Sequence, residues 1–272
     1  MTLAKLFQLE PHGGDVYVGD GHPYPWGGLY GGHIVTQALY AAAETVDEGF
    51  LPHSLRAYFI RRGDNSETVR YEVDRIRNGR SFCTRRVVAR QAVGAILNLE
   101  ASFQKPEQSP EITTVSFPGG IPMPDELTNA EAWSEHIEQR DVPRDTVFTD
   151  TRDGAGRMMS WYRTKEDFGD NQLLHRCALA YLSDDLPTGA VILAVPELAK
   201  HFDGHDQFFS ASLDHTIWFH RDVDASQWHL YEMNCHAYIN GRGVSFGYVF
   251  AQDGTHVATV AQEVLVRLRN DL

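Results

Sequence analysis

The sequence predicts an α+β fold built from two tandem copies of one unit, a long helix lying against a curved antiparallel sheet. Three observations carry this. The predicted elements run twice in the same order: a strand, a helix, then four strand-like runs. Residues echo as well. Tyr58-Phe59-Ile60-Arg61 resembles Trp218-Phe219-His220-Arg221 at an offset of 160, and Asn78-Gly79-Arg80 resembles Asn240-Gly241-Arg242. Asn-Gly between alternating runs also marks tight hairpins. An internal repeat of this kind implies that neither half buries its sheet alone. One helix per unit covers one face of each sheet, and segregation of helices to one face defines the class. The halves are expected to pair side by side as a pseudo-dimer, with their central strands joined into one larger sheet.

The first unit spans residues 1–104. "DVYVG" reads as a short strand, followed by the Pro/Gly-rich loop "GHPYPWGGLYGG". Residues 33–46 read as a helix, because Ile34, Ala38, Ala41 and Thr45 keep a helical spacing and the alanines favour it. "HSLRAYFIR", "TVRYEVDRIR", "SFCTRRVVARQ" and "AILNLEASFQ" are the strands. Residues 105–156 are richer in Pro, Glu, Asp and Thr and read as a surface-crossing linker. Within it, "TNAEAWSEHIEQ" is expected to form one short helix. The second unit, residues 157–272, opens on the strand "RMMSWYRT" and the helical run "NQLLHRCALAYLSDD". The strands "SASLDHTIWFHR", "WHLYEMNCHAYI", "VSFGYVFAQ" and "THVATVAQEVLVRL" follow.

Composition narrows the function classes. The chain has 272 residues, 42% hydrophobic and 11% aromatic, which suffices for two cores. A net charge of -13 excludes recruitment to nucleic acid or to an anionic membrane by bulk electrostatics. An anionic ligand therefore needs a local cluster of Arg or backbone N–H groups. Cys83, Cys177 and Cys235 make neither a disulfide framework nor a CxxC pair. That fits a reducing compartment, and the cytoplasm is the expected location. The N-terminal segment lacks the apolar run of a secretory signal, and no run approaches a membrane-spanning length. The ending "VRLRNDL" is no peroxisomal address of the Ser-Lys-Leu type.

Several constellations invite a catalytic reading. "GVSFG", residues 243–247, matches G-x-S-x-G, but that motif needs a strand-to-helix turn, and here an aromatic-rich strand follows. His215 and His220 are five apart, which places them on opposite faces of a strand. No zinc spacing occurs elsewhere, so no metal is expected. Strict alternation puts Ser212 and Asp214 on one face and His215 on the other, which rules out a Ser212–Asp214–His215 triad. Gly27-Gly28 and Gly31-Gly32 precede a helix; they either offer N–H groups to an anion or oxyanion or allow close packing of the helix start. Arg80, Arg85 and Arg86 either meet phosphates or form a solvated strand face.

"YGGHIVTQALYAAAETV", "HSLRAYFIRRGD", "NGRSFCTRRVVARQ", "EASFQ", "YLSDD", "SLDHTIWFH" and "QDGTHVATVAQE" together resemble the type II acyl-CoA thioesterases, whose chains hold two fused hot-dog repeats. The resemblance implies hydrolysis of acyl-CoA thioesters by a directly activated water, with no cofactor and acyl-CoA as the partner. It places the chemistry on Asp184, at the end of the second helix; on Ser212, two residues before the Asp-His pair; and on Gln262, in the last strand. Asp185 competes with Asp184 for the acid position. "DLPTGAVILAVPELAK" departs from the family and reads as a loop shaping the acyl tunnel. A homo-oligomer is compatible with this plan. The alternative is a hot-dog protein that binds acyl-CoA or lipid without turnover. A hot-dog hydratase would want a paired Asp and His, which the sequence lacks.

Overall fold

The computed structural model describes residues 1–144, 146, 156–202 and 207–269. Its first unit opens on a short helix, α1 (Leu3–Phe7), and two short strands, β1 (Glu10–Pro11) and β2 (Val16–Gly19). α1 is too short to leave a periodicity in the sequence. Thr2 caps it by accepting from Lys5 N, and Leu3, Leu6 and Phe7 are buried. The central helix α2 (Gly31–Ala43) begins and ends slightly earlier than its spacing predicts. Four long strands follow: β3 (Leu51–Phe59), β4 (Val69–Asn78), β5 (Phe82–Gln91) and β6 (Gly94–Gln104).

The expected helix within residues 128–139 does not form. The segment runs irregularly into a strand, β7 (Ile137–Asp141), which pairs with β8 (Arg157–Thr164). Asn129 accepts from Arg140 Nε instead of capping a helix. The open edge of β8 outweighs local propensity here. Upstream, Val115, Phe117, Ile121 and Met123 pack on the buried Trp161 and Phe250.

The second unit continues with α3 (Gln172–Ser183), α4 (Leu186–Ala194) and α5 (Pro196–Ala199). The last two are helices where the sequence reads as a loop. Residues 172–194 thus form an apolar helical run of membrane-spanning length, which the sequence reading does not anticipate. Of its apolar window 72% is buried inside the fold, and Asp184-Asp185 interrupt it, so it serves as a core element. Then come β9 (Phe208–Ser212), β10 (Asp214–Phe219), β11 (His229–Ile239), β12 (Arg242–Ala251) and β13 (His256–Leu268).

All strands join in one sheet of order β1-β2-β4-β5-β6-β3-β10-β13-β12-β11-β8-β7, with β9 alongside β13. The order β2-β4-β5-β6-β3 is mirrored by β8-β11-β12-β13-β10 about an antiparallel β3–β10 seam, where Leu55 pairs with Ile217. This is the joined pseudo-dimer that the repeat predicts. α2 packs on its own unit's strands and against α3. It is therefore buried on nearly all sides, which its alanine-rich sequence permits. Thr36 Oγ1 donates to Cys177 O between the helices.

Candidate active site

The start of α2 meets the end of α3, and there the first candidate residue lies. Asp184 caps the C-terminus of α3 and Asp185 begins α4. Asp184 Oδ2 accepts from the backbone N–H of Gly32 at 3.0 Å, in the first turn of α2. A helix N-terminus favours a carboxylate at this point. β13 brings Gln262 to the other oxygen. Gln262 Nε2 donates to Asp184 Oδ1 at 2.8 Å and to Ser212 Oγ at 2.8 Å, and Ser212 Oγ donates to Asp184 Oδ1 at 3.0 Å. Three side chains from three elements thus form one closed cluster. Asp185 faces elsewhere, accepting from the Tyr162 hydroxyl. Of the two carboxylates, Asp184 is the one in this cluster.

Ser212 and His215 both reach the Gln262 amide, although strict alternation would separate them. The strand breaks at Leu213. Ser212 pairs with Val264 and Thr216 with Ala261, so one extra residue sits on the β9–β10 side. Such a bulge reverses the facing of all that follows. Asp214 supports the break by accepting from Glu263 N at 2.6 Å. Asp214 is therefore structural, and the triad excluded from the sequence is absent. The alternation used to exclude it nevertheless fails at this point, and with it the separation of His215 from Ser212. His215 is fully buried, with Nδ1 against Gln262 Oε1 and Nε2 against Ser183 Oγ at 2.9 Å.

Burial sets the charge states. It pushes the Asp184 carboxyl up to about 6, against the opposing hydrogen bonds from Gln262, Ser212 and Gly32. It raises Asp185 to about 6 as well, against the Tyr162 hydroxyl. It lowers His215 to about 4, so this imidazole is neutral near pH 7. A carboxylate poised near 6 is a competent general base at neutral pH.

The other sequence candidates resolve in structural terms. Ser245 of "GVSFG" lies in mid-strand, fully buried, donating to Asn234 O. Gly27 and Gly28 adopt positive φ, and Gly27 O accepts from Arg62. The N–H of Gly32 is engaged by Asp184, so this glycine supports a carboxylate at the start of α2. Arg86 pairs with Asp74 on the exposed face. Arg85 is buried and donates to Thr45, Asn78 and Arg77 O. Its position is informative: Arg85 pairs with Ala101 in the first unit as Ser245 pairs with Gln262 in the second. The mirror position thus has Ala for Gln, and a guanidinium fills the space. Among the described residues, Asp167, His175 and Asp224 come within 4.8 Å of one another. Both His175 ring nitrogens are engaged, by Gly169 O and Ala225 N.

Comparison with known proteins identifies the family. Residues 22–104 match the acyl-CoA thioesterase N-terminal domain, and residues 106–266 match the acyl-CoA thioesterase C-terminal domain. The chain belongs to the acyl-CoA thioesterase family. Acyl-coenzyme A thioesterase 8 of Mus musculus is 33% identical over 99% of this chain and 90% of its own. Acyl-CoA thioesterase 2 of Haemophilus influenzae is 31% identical, over 98% and 97%. The crystal structure of an acyl-CoA thioesterase II from Mycobacterium marinum superposes with a TM-score of 0.85 at 34% identity, covering 98% of this chain and 99% of that one. A hot-dog protein of Alicyclobacillus acidocaldarius shares the fold, with a TM-score of 0.79 at 20% identity. The family's double hot-dog architecture is therefore that of this chain.

The cluster was legible only through the family's ordered motifs. The contact of His215 with Gln262 is hidden in the sequence because the facing of His215 depends on the bulge at Leu213. The signal available was its neighbour: a strand-breaking Asp placed directly after Ser212-Leu213.

Proposed function

We propose that this chain hydrolyses acyl-CoA thioesters to free acid and CoA, using a water activated at Asp184. The observation that carries the proposal is the closed contact of Asp184, Ser212 and Gln262 at 2.8–3.0 Å. Asp184 Oδ1 receives two donors and Oδ2 one, so a carboxylate with four acceptor positions keeps room for a water. The water oxygen attacks the thioester carbonyl carbon while its proton passes to Asp184. Ser212 and Gln262 hold the angle of attack. As Asp184 gains the proton it needs these donors less, which frees a Gln262 N–H for the developing oxyanion without turning the amide. Collapse breaks the C–S bond, and the CoA sulfur recovers the proton from Asp184. The thiolate is a good leaving group, so no covalent enzyme intermediate and no metal is required.

The test is release of free thiol from acyl-CoAs of several chain lengths. Binding without release at any length would assign the chain to acyl-CoA carriage without turnover. Ser212→Ala and Gln262→Ala are each expected to lower kcat by about 10- to 100-fold, the scale of a lost positioning contact. Wild-type rates in both would remove them from the mechanism. The pH profile provides a separate check. The base must be ionised, so kcat/KM is expected to rise with pH through an inflection near 6, following the raised Asp184 carboxyl. The inflection should persist in Asp185→Asn. A flat profile between pH 4.5 and 8 would exclude a buried carboxylate as base.

A further inference from the structure

A neutral imidazole has one N–H and one bare nitrogen, so the two contacts of His215 fix its tautomer once one partner's polarity is known. That polarity follows from Asp184. Its ionised carboxylate only accepts, and Gln262 lies 2.8 Å from it, so the Gln262 NH2 must face Asp184 and Ser212. Gln262 Oε1 then faces His215 Nδ1, which must carry the proton. Nε2 is left bare and accepts from the Ser183 hydroxyl, whose single hydrogen is thereby withdrawn from Ala180 O, the other acceptor within 3.0 Å. The donors run in one direction, from Ser183 through His215 and Gln262 to Asp184. The opposite amide orientation would set Oε1 against the Asp184 carboxylate, acceptor against acceptor, in a site where His215 is fully buried and Gln262 is 1% exposed.

We propose that His215 is a positioning residue for the hydrolytic site, its Nδ1–H holding the Gln262 amide in the one orientation that presents NH2 to Asp184 and Ser212. This deepens the role given to Gln262 above and rests on it. His215 itself touches neither water nor substrate. Ser183 is the next link, and its place immediately before Asp184 ties the orientation of Gln262 to the end of α3.

The experiment combines a mutant cycle with a direct reading of the tautomer. His215→Leu removes the donor. His215→Asn keeps an N–H close to the Nδ1 position. With acyl-CoA as substrate, His215→Leu is expected to lower kcat about 10- to 100-fold with KM within about threefold, as for a catalytic group displaced without loss of binding. His215→Asn should recover most of that loss. In a Gln262→Ala background, His215→Leu should change kcat by less than about threefold, because coupled residues do not add. A merely structural histidine would give the same loss in both backgrounds and no rescue by Asn, and that result overturns the proposal. If His215→Leu fails to fold, nitrogen-15 NMR of the unmodified protein still decides: an Nδ1–H tautomer is required, and an Nε2–H tautomer overturns it. Wild-type kcat in Gln262→Ala would overturn the role of Gln262 and this inference together. Impaired Gln262→Ala beside fully active His215→Leu would overturn this inference alone.

Discussion

Asp184→Asn is expected to lower kcat about a thousandfold while leaving the fold intact, within the range for loss of a general base. The amide is isosteric with the carboxylate and can still accept from Ser212 and Gln262 through one oxygen. It cannot take a proton from water. Its NH2 also faces the Gly32 N–H, a donor against a donor. Asp185→Asn is expected to retain more than about a tenth of the activity, since Asp185 bonds Tyr162 and stands outside the cluster. The reverse outcome, an active Asp184→Asn and an inactive Asp185→Asn, would move the base by one residue. The same substitution has a second signature. The folded Asp184 carboxyl titrates near 6, above its ordinary 3.8, so its ionisation opposes folding. Its favourable contribution is complete below about pH 3.8 and is lost as pH rises through about 6. Wild type should therefore lose on the order of 3 kcal/mol more stability than Asp184→Asn across that window. Urea melts of both proteins at pH 4 and pH 7 measure it, and equal pH dependence would show that Asp184 is not held in a desolvated site.

Much of this architecture is local information and was legible for that reason. Alternating runs and Asn-Gly turns located the long strands of both units, and the repeat predicted the seam between β3 and β10. What escaped depends on partners distant in the chain. Residues 128–139 carry helix-like spacing, yet the free edge of β8 recruits their end as β7. Residues 186–199 resemble a loop because two prolines interrupt them, yet each proline sits at a helix start, where its missing N–H has no cost. The site is the extreme case. Asp184 and Gln262 are 78 positions apart, and no spacing rule links a helix end to a strand interior. The bulge at Leu213 likewise exists only in the pairing with β13. Family motifs supplied the three side chains. Their hydrogen-bond directions, and the fourth residue behind them, came only from the folded geometry.

Gly32→Ala is expected to be strongly destabilising and to disturb the site as well. A Cβ at Gly32 would lie 2.3 Å from the backbone oxygen of Tyr181 and 2.6 Å from the Tyr30 ring. The first contact is with the backbone of α3, so no side-chain rotation relieves it. α2 must move away from α3, and the helices that close the two units must separate. Overpacking of this kind costs about 3 kcal/mol. For a chain of this size that corresponds to a drop in Tm of roughly 6–12 °C. The same displacement withdraws the Gly32 N–H from Asp184 Oδ2. That bond holds the carboxyl pKa down, so its loss should move the acid limb of kcat/KM to higher pH and lower the rate at pH 6. Gly49→Ala is the matched control. Gly49 also needs its glycine, at φ +86°, but a Cβ there meets nothing within 4 Å. It should cost about 1 kcal/mol of backbone strain and leave the pH profile unchanged. A Gly32→Ala protein with the Tm and pH profile of Gly49→Ala would mean that α2 and α3 are not in close contact at Asp184. The shared site of the two units would then lack its first-unit component.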